Sequence, residues 1–181
     1  MRLESVDIAL IGVFCALWAT LNLTLGPLGF RLFSLPILCD FAVFFSLLLV
    51  TWMTGKFGTA SAVGIMGSVI VLIFNPSPHI IAFAASAMVF DILMVANHHK
   101  LQLKTYNMTA ASLSTGASAY FAGAAIGIFF MGKTPSWETV QWALSFWGVW
   151  HLIGGVIAII VTLPIIGILE RAHVREIKSA K

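Results

Sequence analysis

Six long apolar runs, separated only by short polar segments, constrain this chain more than any other feature of its sequence. A helix of about 20 apolar residues crosses a bilayer core of about 30 Å, and each run is of that order. Transmembrane β-strands alternate in polarity, so continuous runs predict helices. We expect an all-α membrane protein: six transmembrane helices in one bundle, forming a single domain over residues 1–181. The runs are 6–25, 35–53, 57–74, 79–96, 109–131 and 140–169.

The overall composition agrees with this interpretation. Hydrophobic residues make up 60% of the chain and charged residues only 9%, whereas soluble domains carry about 25% charged residues. The runs leave no room for a soluble domain. The first run is long for the apolar part of a signal peptide and lacks a small-residue cleavage site, so we expect it to be retained. The predicted location is the cell membrane, with several crossings.

The distribution of basic residues predicts the orientation. With six crossings both termini lie on one side, and cytoplasmic loops of membrane proteins are enriched in Lys and Arg. An N-terminus inside gives eight basic residues on the cytoplasmic side and two outside, so we expect both termini to be cytoplasmic. The same distribution explains the net charge of +3 without nucleic-acid binding. The inner set is Arg2, Lys56, Lys100, Lys104, Arg171, Arg175, Lys178 and Lys181, and the outer set is Arg31 and Lys133.

Motifs of catalysis and of cofactor binding are absent from the sequence. It contains no His-Glu-x-x-His, no Gly-x-Ser-x-Gly and no phosphate-binding glycine loop. We therefore expect no enzymatic activity, no cofactor, no metal site and no ATP site. Cys15 and Cys39 are too few for a disulfide scaffold, and we expect them to be reduced packing residues.

An aromatic stretch at the start of the sixth run is the first candidate binding site. Trp147, Trp150 and His151 are spaced i, i+3, i+4, which places them on one face of a helix. Tryptophans near a membrane surface commonly form an interfacial belt, and this explains Trp142. A histidine at the edge of lipid is costly, however, and usually faces protein or a wet cavity. Two interpretations of this helix face remain open: it forms the wall of a binding pocket, or it belongs to an ordinary core or an aromatic belt.

Other polar side chains would lie at the same depth. His79 and Asn75 belong to the Asn-Pro-Ser-Pro-His loop before the fourth run, where a helix cap is the alternative to a ligand contact. Tyr120 carries a hydroxyl that needs a partner if buried. Glu138 could cap the sixth helix or pair with a cationic ligand.

Two carboxylates fall inside or beside apolar runs, at opposite ends. Asp40 lies near the outer end of the second run, with Arg31 as a candidate partner. Asp91 lies near the inner end of the fourth run, within reach of residues 97–100 or of Lys56. For Asp91 we expect a structural or gating pair.

Small residues at three- and four-residue steps predict close helix contacts. Gly12 and Ala16 form such a pair in the first run, where a contact with another protein is a serious option. Gly64 and Gly67 form part of a similar stripe in the third run, for which we expect packing inside the bundle.

Together these features resemble the substrate-binding S components of energy-coupling factor (ECF) transporters, which take up vitamins and their precursors. The resemblance covers the whole chain in size, six runs, small-residue first run and a last run ending in Gly-Gly, Leu-Pro-Ile-Ile and Glu-Arg. It implies an outward-facing pocket covered by the loop at 26–34. It also implies docking of Gly12 and Ala16 on a membrane-embedded coupling subunit that works with two ATPase subunits.

Within that family, the Asn75-Pro-Ser turn with nearby tryptophans and a carboxylate is similar to the thiamine and hydroxymethylpyrimidine branch. The chain begins Met-Arg, unlike the Met-His of the nickel and cobalt branch. The alternative is a structural subunit of a larger membrane complex with no ligand of its own. The candidate ligand-binding residues are Trp147, Trp150, His151, Tyr120, His79, Asn75 and Glu138.

Overall fold

A computed structural model describes residues 3–102, 104–132 and 134–172, and over those ranges the chain is helical and contains no strand. This confirms the expected all-α class. Five helices are long and apolar enough to cross a membrane, whereas α3 has only 16 residues. Five of the basic residues used above, Arg2, Lys133, Arg175, Lys178 and Lys181, lie outside the described residues. The helices are α1 Ser5–Phe33, α2 Ile37–Thr54, α3 Thr59–Phe74, α4 Ile80–Asn97, α5 Thr105–Met131 and α6 Trp137–Arg171.

The first helix continues further than its apolar run predicts. Gly26 and Pro27 were expected to begin a loop, yet α1 runs through Pro27 to Phe33. A proline inside a membrane helix is tolerated when neighbouring groups compensate for the lost hydrogen bond. Here glycine permits close packing on α2, since a Cβ on Gly26 would stand 3.2 Å from Cys39 Sγ. The stretch expected to form a covering loop is therefore mostly helical.

The six helices close into a ring in the order α1, α2, α6, α5, α4, α3. The second helix also contacts α3 and α5, and most of its residues are buried. Its Phe44 meets Phe90 of α4 edge to face, with ring centroids 6.3 Å apart, a favoured aromatic geometry. This contact joins two helices that are not neighbours in the ring.

One end of the bundle, here called the Lys56 end, is held by polar contacts. Lys56 Nζ lies 2.7 Å from Asp7 Oδ2 and 3.0 Å from Glu4 Oε1. Hydrogen bonds to these two carboxylates raise the pKa of Lys56. Trp52 donates from Nε1 to Glu170 Oε1 at 3.2 Å, which ties α2 to the last turns of α6. The opposite end, with the 75–79 loop, is the His79 end.

Candidate functional site

A small cavity lies at the His79 end. It measures about 30 Å³, room for roughly one or two water molecules. Every helix except α3, together with the two loops that precede α2 and α4, contributes to its wall. Six of the residues that line it are Phe30, Cys39, His79, Phe83, Trp147 and His151.

His151 forms a buried pair with Asp40. Its Nδ1 lies 2.7 Å from Asp40 Oδ2, and the side chains are 1% and 0% exposed. The contact lacks the angle of a hydrogen bond, so these atoms are close without being well aligned. On its other sides the imidazole meets Trp147 and Phe83, with centroids 6.0 and 5.8 Å away.

Several buried polar atoms at this cavity have no hydrogen-bond partner within the described part of the chain. They include both ring nitrogens of His151 and Nε1 of Trp147, two residues that line the cavity, and both carboxylate oxygens of Asp40, which is paired with His151. Buried polar groups in proteins are nearly always paired, and an orphaned one costs about 1–3 kcal/mol. A bound molecule would supply the missing partners, as water in the cavity would.

His79 adds a neutral imidazole to the wall. It precedes α4 and is half-buried. Burial lowers its pKa, and the charge of His151 lowers it further. A neutral imidazole ring has one donor nitrogen and one acceptor nitrogen. His79 can therefore donate a hydrogen bond to a ligand or accept one from it.

Glycines allow α5 and α6 to approach closely around His151. A Cβ on Gly123 would collide with the carbonyl oxygen of Trp147 and stand 2.7 Å from His151 Cβ. A Cβ on Gly154 would meet Asp40 Cβ at 2.8 Å. Both positions face backbone or short side chains that cannot move aside. The small residues therefore set the position of His151 and of its carboxylate.

Two π-helical segments lie beside the cavity, Gly127–Met131 in α5 and Ala143–Gly148 in α6. Such segments interrupt α-helices rarely and often occur at functional sites. A π turn hydrogen-bonds residues five apart, which brings Trp142 against Trp147 with centroids 6.0 Å apart. In a regular α-helix, at 100° per residue, these two positions would be about 140° apart.

The structure separates the candidate residues on α6. Trp147 and His151 are about 40° apart around a helix, whereas Trp150 is about 100° from His151. Trp150 accordingly lies outside the cavity lining and packs edge to face on Phe146, at 6.5 Å.

The remaining candidates also lie outside the cavity wall. Tyr120 donates from its hydroxyl to Leu144 O at 3.1 Å, which ties α5 to the π segment of α6. Asn75 is exposed and ends α3. Glu138 is exposed in the first turn of α6, and the cap there is Ser136, whose Oγ accepts from Thr139 N at 3.2 Å. Of the candidates, the cavity brings together His79, Trp147 and His151.

Asp40 is the important residue that the sequence did not assign correctly. Arg31, its suggested partner, is exposed on α1, and the buried partner is His151. The sequence did contain one signal for this pair, because a carboxylate and a histidine lie in two apolar runs at a similar predicted depth in the membrane. Asp40 and His151 meet because α2 packs on α6, and no pattern in the sequence indicates that packing.

Asp91 has a different environment at the Lys56 end. Its Oδ2 accepts from Gly58 N at 2.8 Å, Ser61 N at 3.1 Å and Ser61 Oγ at 2.7 Å. Its Oδ1 lies 2.9 Å from His99 Nε2. The carboxylate thus caps the start of α3 and joins it to α4. Of the two partners expected for it, residues 97–100 and Lys56, the structure shows the first, through His99.

The two small-residue stripes also differ. Gly64 and Gly67 of α3 pack directly on Ala87 and Trp18, which confirms internal packing. Gly12 and Ala16 of α1 are exposed, and a Cβ on Gly12 would meet nothing within 4 Å. The α1 stripe therefore makes no close contact within the described bundle.

No protein-family model, curated protein or solved structure matches this chain. The fold and site define a class by themselves: an all-helical protein of membrane-spanning character with a buried, incompletely paired polar site at one end. No group of three potential metal ligands occurs in the ranges that the structure describes.

Proposed function

We propose that this protein is the substrate-binding S component of an ECF-type importer, a subunit that binds a vitamin or vitamin precursor with high affinity and catalyses no reaction. The observation that carries the proposal is the cavity at the His79 end, where nitrogens of His151 and Trp147 have no hydrogen-bond partner among the described residues. Ligand pockets combine mostly apolar walls with a few polar groups, and this cavity has that composition.

The proposed orientation places the cavity toward the outside of the cell. Among the described basic residues, Lys56, Lys100, Lys104 and Arg171 belong to the Lys56 end, and Arg31 ends α1 at the His79 end. The positive-inside rule then makes the Lys56 end cytoplasmic. Six crossings with both termini inside require α3, about 24 Å long, to span a locally thinned bilayer.

The cavity is too small for a vitamin, so the proposal requires it to widen when a ligand enters. Phe30 near the end of α1 and Met131 at the end of α5 line the cavity and remain 42% and 36% exposed. They form its outermost wall. Capture from outside requires these two side chains to move, as loops and helix ends do in other closing sites.

The exposed stripe of α1 supports docking on a coupling subunit. Small residues let helix backbones approach closely. Gly12 and Ala16 are exposed, and a Cβ on Gly12 would meet nothing within 4 Å in the described part of the chain. The partners in the proposal are a membrane coupling subunit, two ATPase subunits and lipid. The sequence has no phosphate-binding loop, so energy must come from those partners.

Ligand extraction tests the proposed activity. The protein is purified from cells grown on rich medium, denatured, and its released small molecules are identified by mass spectrometry. We expect one vitamin or precursor at near-stoichiometric amount, and its uptake by cells that also express the coupling and ATPase subunits. A protein that carries no such molecule and gives no thermal shift with a vitamin panel would be the structural subunit instead.

Bulky substitutions test the docking face. Gly12→Leu with Ala16→Leu is expected to leave ligand binding unchanged and to abolish uptake. Ala117→Leu, at an exposed alanine of α5, is the control and is expected to transport normally. Normal uptake by the double variant would assign the α1 stripe to lipid.

A further inference from the structure

The protonation of the Asp40–His151 pair determines what the cavity offers a ligand. Nδ1 and Oδ2 are 2.7 Å apart, and two bare lone pairs at that distance repel each other, so a proton lies on one of them. Both side chains are essentially fully buried, and a net charge there is costly. The net-neutral states of the pair are carboxylate with imidazolium and carboxylic acid with neutral imidazole.

Both of these net-neutral states leave a proton on Nε2 of His151. In the ionic state the imidazolium carries hydrogen on both nitrogens. In the neutral state Nδ1 accepts from the acid, so the ring hydrogen is on Nε2. The nitrogen that Asp40 does not contact is thus a donor in either case.

Trp147 supplies a second donor to the same cavity. An indole nitrogen can only donate, and Nε1 of Trp147 has no partner in the described residues. No Lys, Arg or carboxylate is among the described residues that line the cavity. Phe30, Phe83 and Ile126 provide apolar or aromatic wall.

We propose that the cavity selects an uncharged aromatic heterocycle whose ring nitrogen or carbonyl accepts hydrogen bonds from His151 Nε2 and Trp147 Nε1. An anion would meet two donors but bring a net charge into a cavity with no lysine or arginine among its described lining residues. A cation would face the two N–H groups, whose hydrogens carry partial positive charge and repel it. This inference rests on the proposed function and narrows its substrate class.

Isosteric probes of different charge test the selection. Purified full-length protein is titrated with nicotinamide, nicotinate and 1-methylnicotinamide, which share one ring and are neutral, anionic and cationic. The second series is thiamine, a cation, and its neutral pyrimidine half, 4-amino-5-hydroxymethyl-2-methylpyrimidine. We expect a neutral member to bind at least tenfold more tightly than the charged members of its series.

A conservative variant connects that selectivity to the donor. Trp147→Phe keeps an aromatic ring and removes the N–H, so we expect about tenfold weaker binding of the neutral heterocycle, the scale of one hydrogen bond. Trp150→Phe, the same change outside the cavity, is expected to bind normally. Thermal unfolding of both variants, measured without ligand, confirms that they are folded.

Two results overturn the inference and differ in what they imply. Tighter binding of a charged probe, or equal binding by Trp147→Phe, refutes the neutral class but leaves a vitamin-binding subunit in place. Absence of binding by every probe, together with no extracted vitamin, refutes both the inference and the proposed function.

Discussion

The described residues contain two buried carboxylate–histidine pairs, one at each end of the bundle, and the hydrogen bonds of these two pairs are satisfied to very different degrees. Asp91 accepts from the start of α3 and contacts His99, so both of its oxygens are used. Asp40 Oδ2 lies 2.7 Å from His151 Nδ1, and neither carboxylate oxygen has a well-aligned hydrogen-bond partner among the described residues. Of the two, the second pair adjoins the small cavity at the His79 end. A buried carboxylate whose oxygens all have hydrogen-bond partners is best explained by a role in stabilising the fold. A buried carboxylate that lacks such partners is best explained by a role in ligand binding.

The largest expected effect comes from removing the satisfied pair. Asp91→Leu with His99→Leu leaves the N–H groups of Gly58 and Ser61 and the Ser61 hydroxyl without their acceptor. Orphaned groups cost about 1–3 kcal/mol each, and we expect a total loss of about 3–5 kcal/mol. Unfolding of the purified variant by heat or denaturant measures this. Unchanged stability would mean that water replaces the carboxylate at the start of α3.

Glycine substitutions compare the tightly packed wall near His151 with the open face of α1. Gly123→Ala forces a methyl group against the Trp147 carbonyl and the His151 side chain, and such overpacking costs about 1–3 kcal/mol. Gly12→Ala is the matched control. It meets open space and is expected to be neutral or slightly stabilising, because alanine favours helix.

The denaturation midpoints of these two variants decide the comparison. A Gly123→Ala protein as stable as Gly12→Ala would show that α5 and α6 can separate at low cost, and that glycine does not determine the position of His151.

A smaller effect is expected at Tyr120, which joins the two helices without touching the cavity. Tyr120→Phe removes the hydrogen bond to Leu144 O and should cost about 1 kcal/mol, with unchanged ligand affinity. Calorimetric titration with the extracted ligand separates the two quantities. A loss of affinity much larger than the loss of stability would place Tyr120 in the binding site after all.

Helix positions could be read from the sequence, because apolar runs report directly on membrane-length helices. The run 35–53 became Ile37–Thr54, and 79–96 became Ile80–Asn97. The exception was α1, whose Gly26 and Pro27 carry a turn signal that packing on α2 overrides.

The site was only partly predictable. His151 was identifiable because a histidine within an apolar run needs a polar environment, and Trp147 because it is four residues away. Asp40 could not be paired with His151, since they are more than 100 residues apart in sequence and meet only through helix packing. The π segment that brings Trp142 to Trp147 has no recognised sequence pattern.

The most direct test of the account replaces the under-paired carboxylate and histidine with apolar residues of similar shape. Exchanging a buried ion pair for hydrophobic residues is often neutral or stabilising, so Asp40→Leu with His151→Leu should unfold at or above the wild-type temperature. The same protein should lose the thermal shift that the extracted ligand produces. The Asp91→Leu, His99→Leu protein should unfold early yet still be stabilised by that ligand. If the Asp40, His151 variant instead unfolds early, or is stabilised by ligand as fully as the wild type, the pair serves the fold and the account is contradicted.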